Sequence, residues 1–236
     1  TQIFYFIPIK IIYKVVDVRF IMHNAVAKLI SIQQEIQKKN SKTKIIAVSK
    51  TFPIDEIMPL IKHGQRDFGE NKIQEAIQKW TSIKKGLIDI NLHMIGKIQS
   101  NKVKFVVPLF DYIHSLDSLK LAEKISNEQK KYKKDIKIFI QVNIGNESQK
   151  SGISPKDVDD FKKKCVDELN LNIVGLMCLP PKNKETSIYF NEMNLLLKKI
   201  NLKELSMGMS NDYLEAINYS SSYVRIGSKI FGSRDQ

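Results

Sequence analysis

Cysteine is scarce in this sequence, with Cys165 and Cys178 the only two among 236 residues. Neither belongs to a Cys-x-x-Cys pair, which excludes that class of zinc site, and we expect no metal. Thiols in a helical and an apolar segment are typical of buried residues in a reducing compartment, so we expect a cytoplasmic protein. The sequence also lacks an uninterrupted apolar run of about 20 residues, so we expect no membrane partner.

Arginine is also scarce, although the formal net charge is +13. The lysines are dispersed and lie with Glu, Asn and Ile on predicted outer helix faces. The arginine forks and the aromatic stacking platform of nucleic-acid-binding proteins are missing. We therefore attribute the charge to lysine-rich genome composition and expect no nucleic-acid partner. Of the 38 basic residues, the four arginines are Arg19, Arg66, Arg225 and Arg234.

Glycine is missing from the first strand-to-helix turn, Ser49 to Pro53. An open doubly wound sheet would favour a glycine-rich turn there. Eight apolar segments instead alternate with amphipathic ones, which predicts the α/β class and a closed (β/α)8 TIM-like barrel. The predicted strands are 44–50, 67–71, 92–96, 112–116, 137–144, 172–179, 203–209 and 223–227. The predicted helices between them are 55–63, 71–80, 100–107, 119–131, 155–169 and 184–200.

The first 21 residues differ from the rest of the sequence. They are apolar but interrupted by Lys10 and Lys14, and they lack the pattern of a secretory signal. Met22 then precedes an amphipathic helix predicted at 23–39, which we expect to cover the ring beside the last strand. We therefore predict one domain, a barrel at 22–236, with 1–21 as an extension outside the core fold.

Polar residues recur at the predicted C-terminal strand ends, which meet at one mouth of a barrel. Lys50 closes the first strand and Asn71 the second, and Asn143 closes the fifth. Beside Ile46 and Val48, a neutral lysine amine is favoured, and that form attacks an aldehyde to give a Schiff base. The alternative is a lysine that simply reaches solvent from the barrel rim.

The loops after strands seven and eight carry hydroxyl groups. In barrels these loops often bind phosphate, and here they contain Ser210, Asn211, Gly227 and Ser228. The alternative is an ordinary glycine turn with a serine cap. Together with Lys50, the hydroxyl-bearing loops predict a site for pyridoxal phosphate (PLP).

Arg225 precedes Gly227 by two residues, so its side chain is predicted to point into the barrel. A guanidinium that donates to a pyridine nitrogen keeps that nitrogen unprotonated, which makes the ring a poor electron sink. The alternative is an internal ion pair with Glu70 or Asp212.

Eight short motifs occur in order along most of the chain. They are Ala47-Val-Ser-Lys50-Thr51, Phe68-Gly-Glu-Asn71, His93-Met-Ile-Gly-Lys-Ile-Gln-Ser-Asn-Lys102, Gln141-Val-Asn143, Lys150-Ser-Gly-Ile153, Gly175-Leu-Met177, Ser206-Met-Gly-Met-Ser210 and Val224-Arg-Ile-Gly-Ser-Lys-Ile-Phe-Gly232. From about Ala25 to Arg234 the sequence thus resembles the YggS/PROSC family of pyridoxal-phosphate homeostasis proteins, related to the N-terminal domain of alanine racemase.

This resemblance implies a fold-type III barrel with Lys50 as the Schiff-base lysine. It also implies that Asn71 lies beside the cofactor and that Arg225 faces the pyridine nitrogen. The residues that it places around the phosphate are Met209, Ser210, Gly227 and Ser228. Two positions depart from the family pattern: Ser228 replaces the usual threonine, and Lys229 replaces a usually small residue.

The expected function is to hold PLP and to act in its intracellular homeostasis and transfer, without robust catalysis. Racemisation of a bound amino acid needs two bases, and Lys50 supplies one. In alanine racemase the second is a tyrosine from a second domain, which we do not expect within these 236 residues. The alternative is a PLP-dependent amino-acid racemase of weak activity.

The expected partners are PLP, other B6 vitamers and PLP-dependent apo-enzymes, and the family implies a monomer. A polar run of His93, Gln99, Asn101 and Lys102 could receive or hand over a phosphorylated vitamer, or it could be a surface loop. His114 is interpreted as a hydrogen-bonded barrel histidine rather than a catalyst.

Overall fold

Eight parallel strands close into a barrel in sequence order, and β1 pairs with β8 to complete the ring. The computed structural model describes residues 22–39, 42–181 and 184–232. The strands are Lys44–Val48 (β1), Asp67–Glu70 (β2), Asn91–Met94 (β3), Tyr112–Leu116 (β4), Lys137–Val142 (β5), Ile173–Cys178 (β6), Glu204–Met209 (β7) and Tyr223–Ile226 (β8). This confirms the predicted TIM-like barrel, and each strand overlaps its predicted range.

Helices connect the strands and surround the barrel. They are Asn24–Lys38 (α1), Ile54–Lys62 (α2), Ile73–Gly86 (α3), Val103–Leu109 (α4), Leu119–Tyr132 (α5), Val158–Lys163 (α6), Thr186–Lys199 (α7), Tyr213–Asn218 (α8) and Ser228–Phe231 (α9). Short 3-10 turns, Ser100–Lys102 and Pro155–Asp157, precede α4 and α6, and a π-helical turn, Lys164–Glu168, follows α6.

Three helical predictions were inaccurate. The helix predicted at 155–169 is divided into three segments, the first of which begins at Pro155, a residue without an N–H donor. Helix α4 continues through Pro108 rather than ending before it, since the N–H of Phe110 still donates to Val106 O at 2.9 Å. Helix α3 extends six residues beyond its predicted end, to Gly86.

Two layers of apolar side chains stabilise the fold. The larger lies between the helices and the outer face of the barrel, and it includes nearly every buried residue of α1 to α9. The smaller fills the barrel interior with Ile46, Tyr112, Phe139, Met177 and Tyr223. Because parallel strands covered by helices are buried on both faces, they appear in the sequence as continuous apolar runs such as that of β1.

Helix α1 covers the ring beside the last strand, as predicted. It packs against α2, α8 and α9. Its buried residues follow helical spacing, and they are Ala25, Val26, Leu29, Ile32 and Ile36. The extension predicted for 1–21 lies outside the described residues. Within the part of the chain that the structure describes, no helix combines the length and apolarity needed to cross a bilayer.

Candidate functional site

Lys50 lies in a turn directly after β1, at the mouth of the barrel, and is half-buried. The turn is closed by a hydrogen bond of 3.2 Å from the N–H of Phe52 to Ser49 O. Thr51, the next residue, has a φ of 71°, a left-handed conformation that a β-branched residue rarely adopts. The lysine is therefore presented by a strained turn and not by the strand itself.

Arg225 lies inside the barrel on β8 and is only 5% exposed. Arg225 is opposite Ile46 in the pairing of β8 with β1, and its guanidinium extends toward β7 and β6. One terminal nitrogen, Nη1, donates to Ser206 O at 2.6 Å and to Ser206 Oγ at 2.7 Å, and Nη2 donates to Cys178 O at 2.9 Å. Burial lowers the pKa of Arg225, but a guanidinium remains cationic in proteins.

The alternative of an ion pair between Arg225 and Glu70 or Asp212 is wrong, since Arg225 forms neither pair and its contacts are with Ser206 and Cys178. Glu70 instead accepts hydrogen bonds from Ser49 and Trp80 and pairs with Lys79. Among the described residues, the contacts of Arg225 with Ser206 and Cys178 use three of the five N–H donors of a guanidinium. The side chain can therefore still donate to a ligand in the mouth.

A column of hydrogen-bonded side chains connects Arg225 to the opposite end of the barrel. Ser206 Oγ lies 2.9 Å from His114 Nδ1, and His114 Nε2 lies 2.9 Å from His93 Nδ1. His93 Nε2 in turn lies 3.0 Å from Asp67 Oδ1. One assignment satisfies every group, with each residue from Arg225 to His93 donating to the next and Asp67 as the final acceptor.

Both histidines of this column are fully buried, and burial lowers the pKa of each. His114 is affected more strongly, because His93 and the cationic Arg225 also lower its pKa. This confirms His114 as a hydrogen-bonded barrel histidine. His93 does not belong to the polar loop at the mouth, where the sequence had suggested it; it stacks on Tyr112 with ring centroids 4.2 Å apart. The alternation of side chains along β3 places it inside.

The loops after β7 and β8 meet at the mouth. The N–H of Lys229 lies 3.4 Å from Ser210 Oγ, which joins the two loops. Gly227 begins the second loop and packs beside β1, since a Cβ there would lie 3.4 Å from Val48 O, in van der Waals contact. Ser228 starts α9, so the first N–H groups of this helix face the same region without intrahelical acceptors.

Met209 and Lys229 have other contacts. Met209 is 41% exposed at the end of β7, and its N–H donates to Asp212 Oδ1 at 2.6 Å. Lys229 donates to Tyr213 Oη at 2.8 Å and lies 3.4 Å from Glu35 Oε2, so it connects α9 to α8 and α1. Lys229, which departs from the family pattern, therefore directs its ammonium group to Tyr213 and Glu35 and away from the two loops.

Asn71 follows β2 and lines an open cleft of about 610 Å³ beside the mouth. The cleft also includes Gln99 and Lys102 of the predicted polar run. Gly96 lies against Asn71, since a Cβ at residue 96 would be 2.3 Å from Asn71 O. Asn143 instead organises the loop after β5, with its Nδ2 donating to Glu147 O at 2.9 Å.

Comparison with known proteins agrees with this geometry. The family model described as alanine racemase, N-terminal domain, matches residues 25–235. The chain belongs to this family. It is 36% identical over 212 residues to the pyridoxal phosphate homeostasis protein of Pasteurella multocida, covering 86% of this chain and 91% of that protein. The resemblance to pyridoxal-phosphate homeostasis proteins inferred from the motifs is therefore confirmed.

Solved structures of this family share the fold. PipY of Synechococcus elongatus without PLP is 32% identical, with a TM-score of 0.82 over 89% of this chain and 100% of that one. PipY with PLP bound is also 32% identical, with a TM-score of 0.78 over 88% of this chain and 100% of that one.

Proposed function

We propose that this protein binds PLP, holds it as a Schiff base on Lys50, and acts in intracellular PLP homeostasis and transfer. The observation that carries the proposal is the meeting, at one barrel mouth, of Lys50 after β1 and the buried Arg225 on the neighbouring β8. The names of the relatives and the PLP bound to PipY support the same function.

The donor set fits PLP at each of its functional groups. When bound, PLP supplies an aldehyde that condenses with a lysine amine to a C=N bond, with loss of water. Lys50 provides the amine, and Ser210 and Ser228 provide hydroxyl donors for a phosphate beside the N–H groups at the start of α9. Asn71 completes the proposed contacts at the mouth, with Met209 and Gly227 next to the phosphate loops.

Arg225 favours holding over catalysis. Its guanidinium donates and cannot readily accept a proton, so a ring nitrogen facing it stays unprotonated. A ring in that state draws carbanion charge poorly, which limits chemistry at the carbon atoms of a bound amino acid. The histidine column behind Arg225 keeps the guanidinium oriented, and the carboxylate of the column, Asp67, lies at its far end and not beside the ring.

Transfer requires a route out of the mouth. We propose that Gln99 and Lys102, which line the cleft beside Asn71, contact phosphorylated B6 vitamers as they enter or leave. Lys72 and Lys97 line the same cleft and add positive charge. The recipients are PLP-dependent apo-enzymes, and we expect the protein to act as a monomer. Both cysteines are buried thiols, which is consistent with a reducing cytoplasm.

The test begins with the visible spectrum of the purified protein after incubation with PLP. We expect a yellow protein in which borohydride fixes the cofactor to Lys50, identified by peptide mass spectrometry. A colourless protein contradicts the proposal. The yellow protein is then incubated with L-alanine, and the product is analysed on a chiral column. Unracemised alanine supports a carrier, whereas D-alanine formed at a catalytic rate identifies a racemase.

A further inference from the structure

The turn that carries Lys50 is held by three charged side chains, Glu70, Glu75 and Lys79, which we call the turn clamp. Given the covalent role proposed above for Lys50, on which this rests, we propose that the turn clamp positions the Lys50 amine for reaction with an aldehyde. Lys79 is its central member. Nothing in the clamp needs to touch the cofactor, so its members are positioning residues.

The clamp holds the residue before Lys50 through a fully buried carboxylate. Glu70 is 0% exposed, and its Oε1 accepts from Ser49 Oγ at 2.8 Å and from Trp80 Nε1 at 3.0 Å. Lys79 Nζ lies 2.7 Å from the same oxygen. Because Glu70 ends β2 immediately before Asn71, the clamp ties the lysine turn to the next strand end of the mouth.

The clamp also holds the backbone on both sides of Lys50. Lys79 Nζ lies 2.8 Å from Ser49 O and 3.4 Å from Phe52 O, and it donates to Glu75 Oε1 at 2.8 Å. Glu75 Oε1 accepts in addition from the N–H of Thr51. The Lys79 ammonium therefore bridges Ser49 and Phe52, at the start and the end of the turn. The carboxylate of Glu75 holds Thr51 between them.

The conformation that the clamp holds is a strained one. Thr51 has a φ of 71° although it is β-branched. Such residues persist only where the surroundings over-determine them, and they occur preferentially at functional sites. On its far side the turn is fixed again, since Phe52 stacks on Phe231 of α9 with ring centroids 4.7 Å apart. The turn is thus held between α3 and the helix that begins at Ser228.

A purely stabilising role accounts poorly for this arrangement. A buried ion pair often contributes less to stability than well-packed apolar side chains of the same volume. Lys79 and Glu70 are both largely buried, with side chains 11% and 0% exposed. A fixed geometry does have value for a reacting amine, because a displacement of about 1 Å can slow a reaction by about 100-fold.

The experiment compares Lys79→Met with Lys85→Met, which removes the same charge from an exposed position on the same helix. Covalent capture is followed as the rate at which borohydride fixes PLP to Lys50. Non-covalent affinity for the cofactor is measured separately, as the dissociation constant of 4′-deoxypyridoxine phosphate, an analogue that lacks the aldehyde. A third readout uses the cofactor-free protein: hydrogen exchange at the Thr51 and Phe52 amides.

We expect Lys79→Met to slow covalent capture by about 10- to 100-fold and to leave affinity for the aldehyde-free analogue within about twofold. Exchange at the Thr51 and Phe52 amides should rise. Lys79→Arg keeps the cation and should recover much of the rate, whereas Lys85→Met should match the native protein throughout. A merely structural role predicts parallel losses in capture and affinity, with no recovery specific to the cation.

A second variant serves if Lys79→Met does not fold. Glu75→Ala removes the acceptor of the Thr51 N–H from a half-buried helix position where alanine is well tolerated. It should likewise expose the Thr51 amide to exchange and slow capture. Native exchange and native capture rates in a folded variant overturn the proposal. Failure of the native protein to form any Lys50 link instead refutes the proposed function, whatever the clamp variants show.

Discussion

Two neighbouring strands present the two principal groups of the mouth in opposite ways. On β1, Lys50 lies beyond the strand, half-buried in a strained turn that charged side chains hold from α3. On β8, Arg225 lies within the strand, 5% exposed, and is held by backbone carbonyls and a serine hydroxyl. The position of Lys50 therefore depends on charged side chains of β2 and α3, and that of Arg225 depends on the interior of the barrel.

The difference matches what each group is proposed to do. A lysine that forms and releases a covalent link needs access to the aldehyde together with a fixed geometry, and a turn held on a rigid scaffold supplies both. An arginine that only faces a ring nitrogen needs a constant orientation, which a buried strand supplies. Changes at Lys50 should therefore affect chemistry and spare the fold, whereas changes at Arg225 should affect both.

The largest expected effect is that of Lys50→Ala, which should abolish the borohydride-fixed link while leaving weaker, phosphate-held binding. The turn is outside the strand, so the free energy of unfolding should change by less than about 1 kcal/mol. Visible absorbance and urea unfolding measure the two effects. Lys44→Ala, at the opposite end of β1, is the matched control. Retention of the native absorbance in Lys50→Ala would move the link to another lysine.

Arg225→Met should lower the free energy of unfolding by about 2–5 kcal/mol, because it removes three buried charge-assisted hydrogen bonds to Ser206 and Cys178. It should also shift the visible spectrum of the PLP-loaded protein. Urea unfolding and absorbance test both expectations. Arg66→Met is the control, since Arg66 makes its contacts near the surface and should matter less. A stable variant with an unchanged spectrum would remove Arg225 from the site.

The histidine column predicts a loss of stability in mild acid. The folded-state pKa values of His93 and His114 are lowered, mainly by burial, although Asp67 opposes the effect at His93. The stabilisation from keeping both neutral is complete above about pH 6.5 and falls as the pH drops below it, by at most about 1.4 kcal/mol per pH unit for each histidine. Urea unfolding at a series of pH values measures the slope.

Two single variants distinguish the contribution of the histidine column to this pH dependence from that of other titrating groups. His93→Gln keeps hydrogen-bonding capacity without a titrating ring and should flatten the dependence between about pH 5 and 7. His63→Gln, at an exposed helix end, should leave it unchanged. An equal slope in both variants would show that the column does not control stability in this range.

The smallest expected effect is that of Thr51→Asn. Asparagine tolerates a left-handed φ better than threonine, so the free energy of unfolding should rise by up to about 1 kcal/mol. The backbone N–H that donates to Glu75 is retained, so the rate of covalent capture should stay native. Thermal unfolding and borohydride trapping measure these outcomes. A drop in stability would show that packing of the Thr51 side chain stabilises the fold by more than its left-handed φ costs.

Much of this architecture follows from local patterns. The alternation of apolar strands and amphipathic helices indicates the barrel, and the carboxyl ends of the first and last predicted strands place Lys50 and Arg225 toward the same mouth. The six-residue α8 and four-residue α9 are too short to show helical periodicity. The contact between His93 and His114 depends on the register of β3 and β4, and that of Lys79 with Ser49 joins residues 30 apart. Such contacts arise only from tertiary packing.

Closure of the barrel between β1 and β8 has a consequence for the chain during synthesis. The lysine follows the first strand and the arginine lies in the last, so they share one mouth only when the ring is complete. Chains emerge from the ribosome amino end first, and contacts of such long sequence separation form late. An incomplete chain therefore lacks part of the site proposed for PLP. Capture of PLP by Lys50, as proposed above, would then indicate that folding is complete.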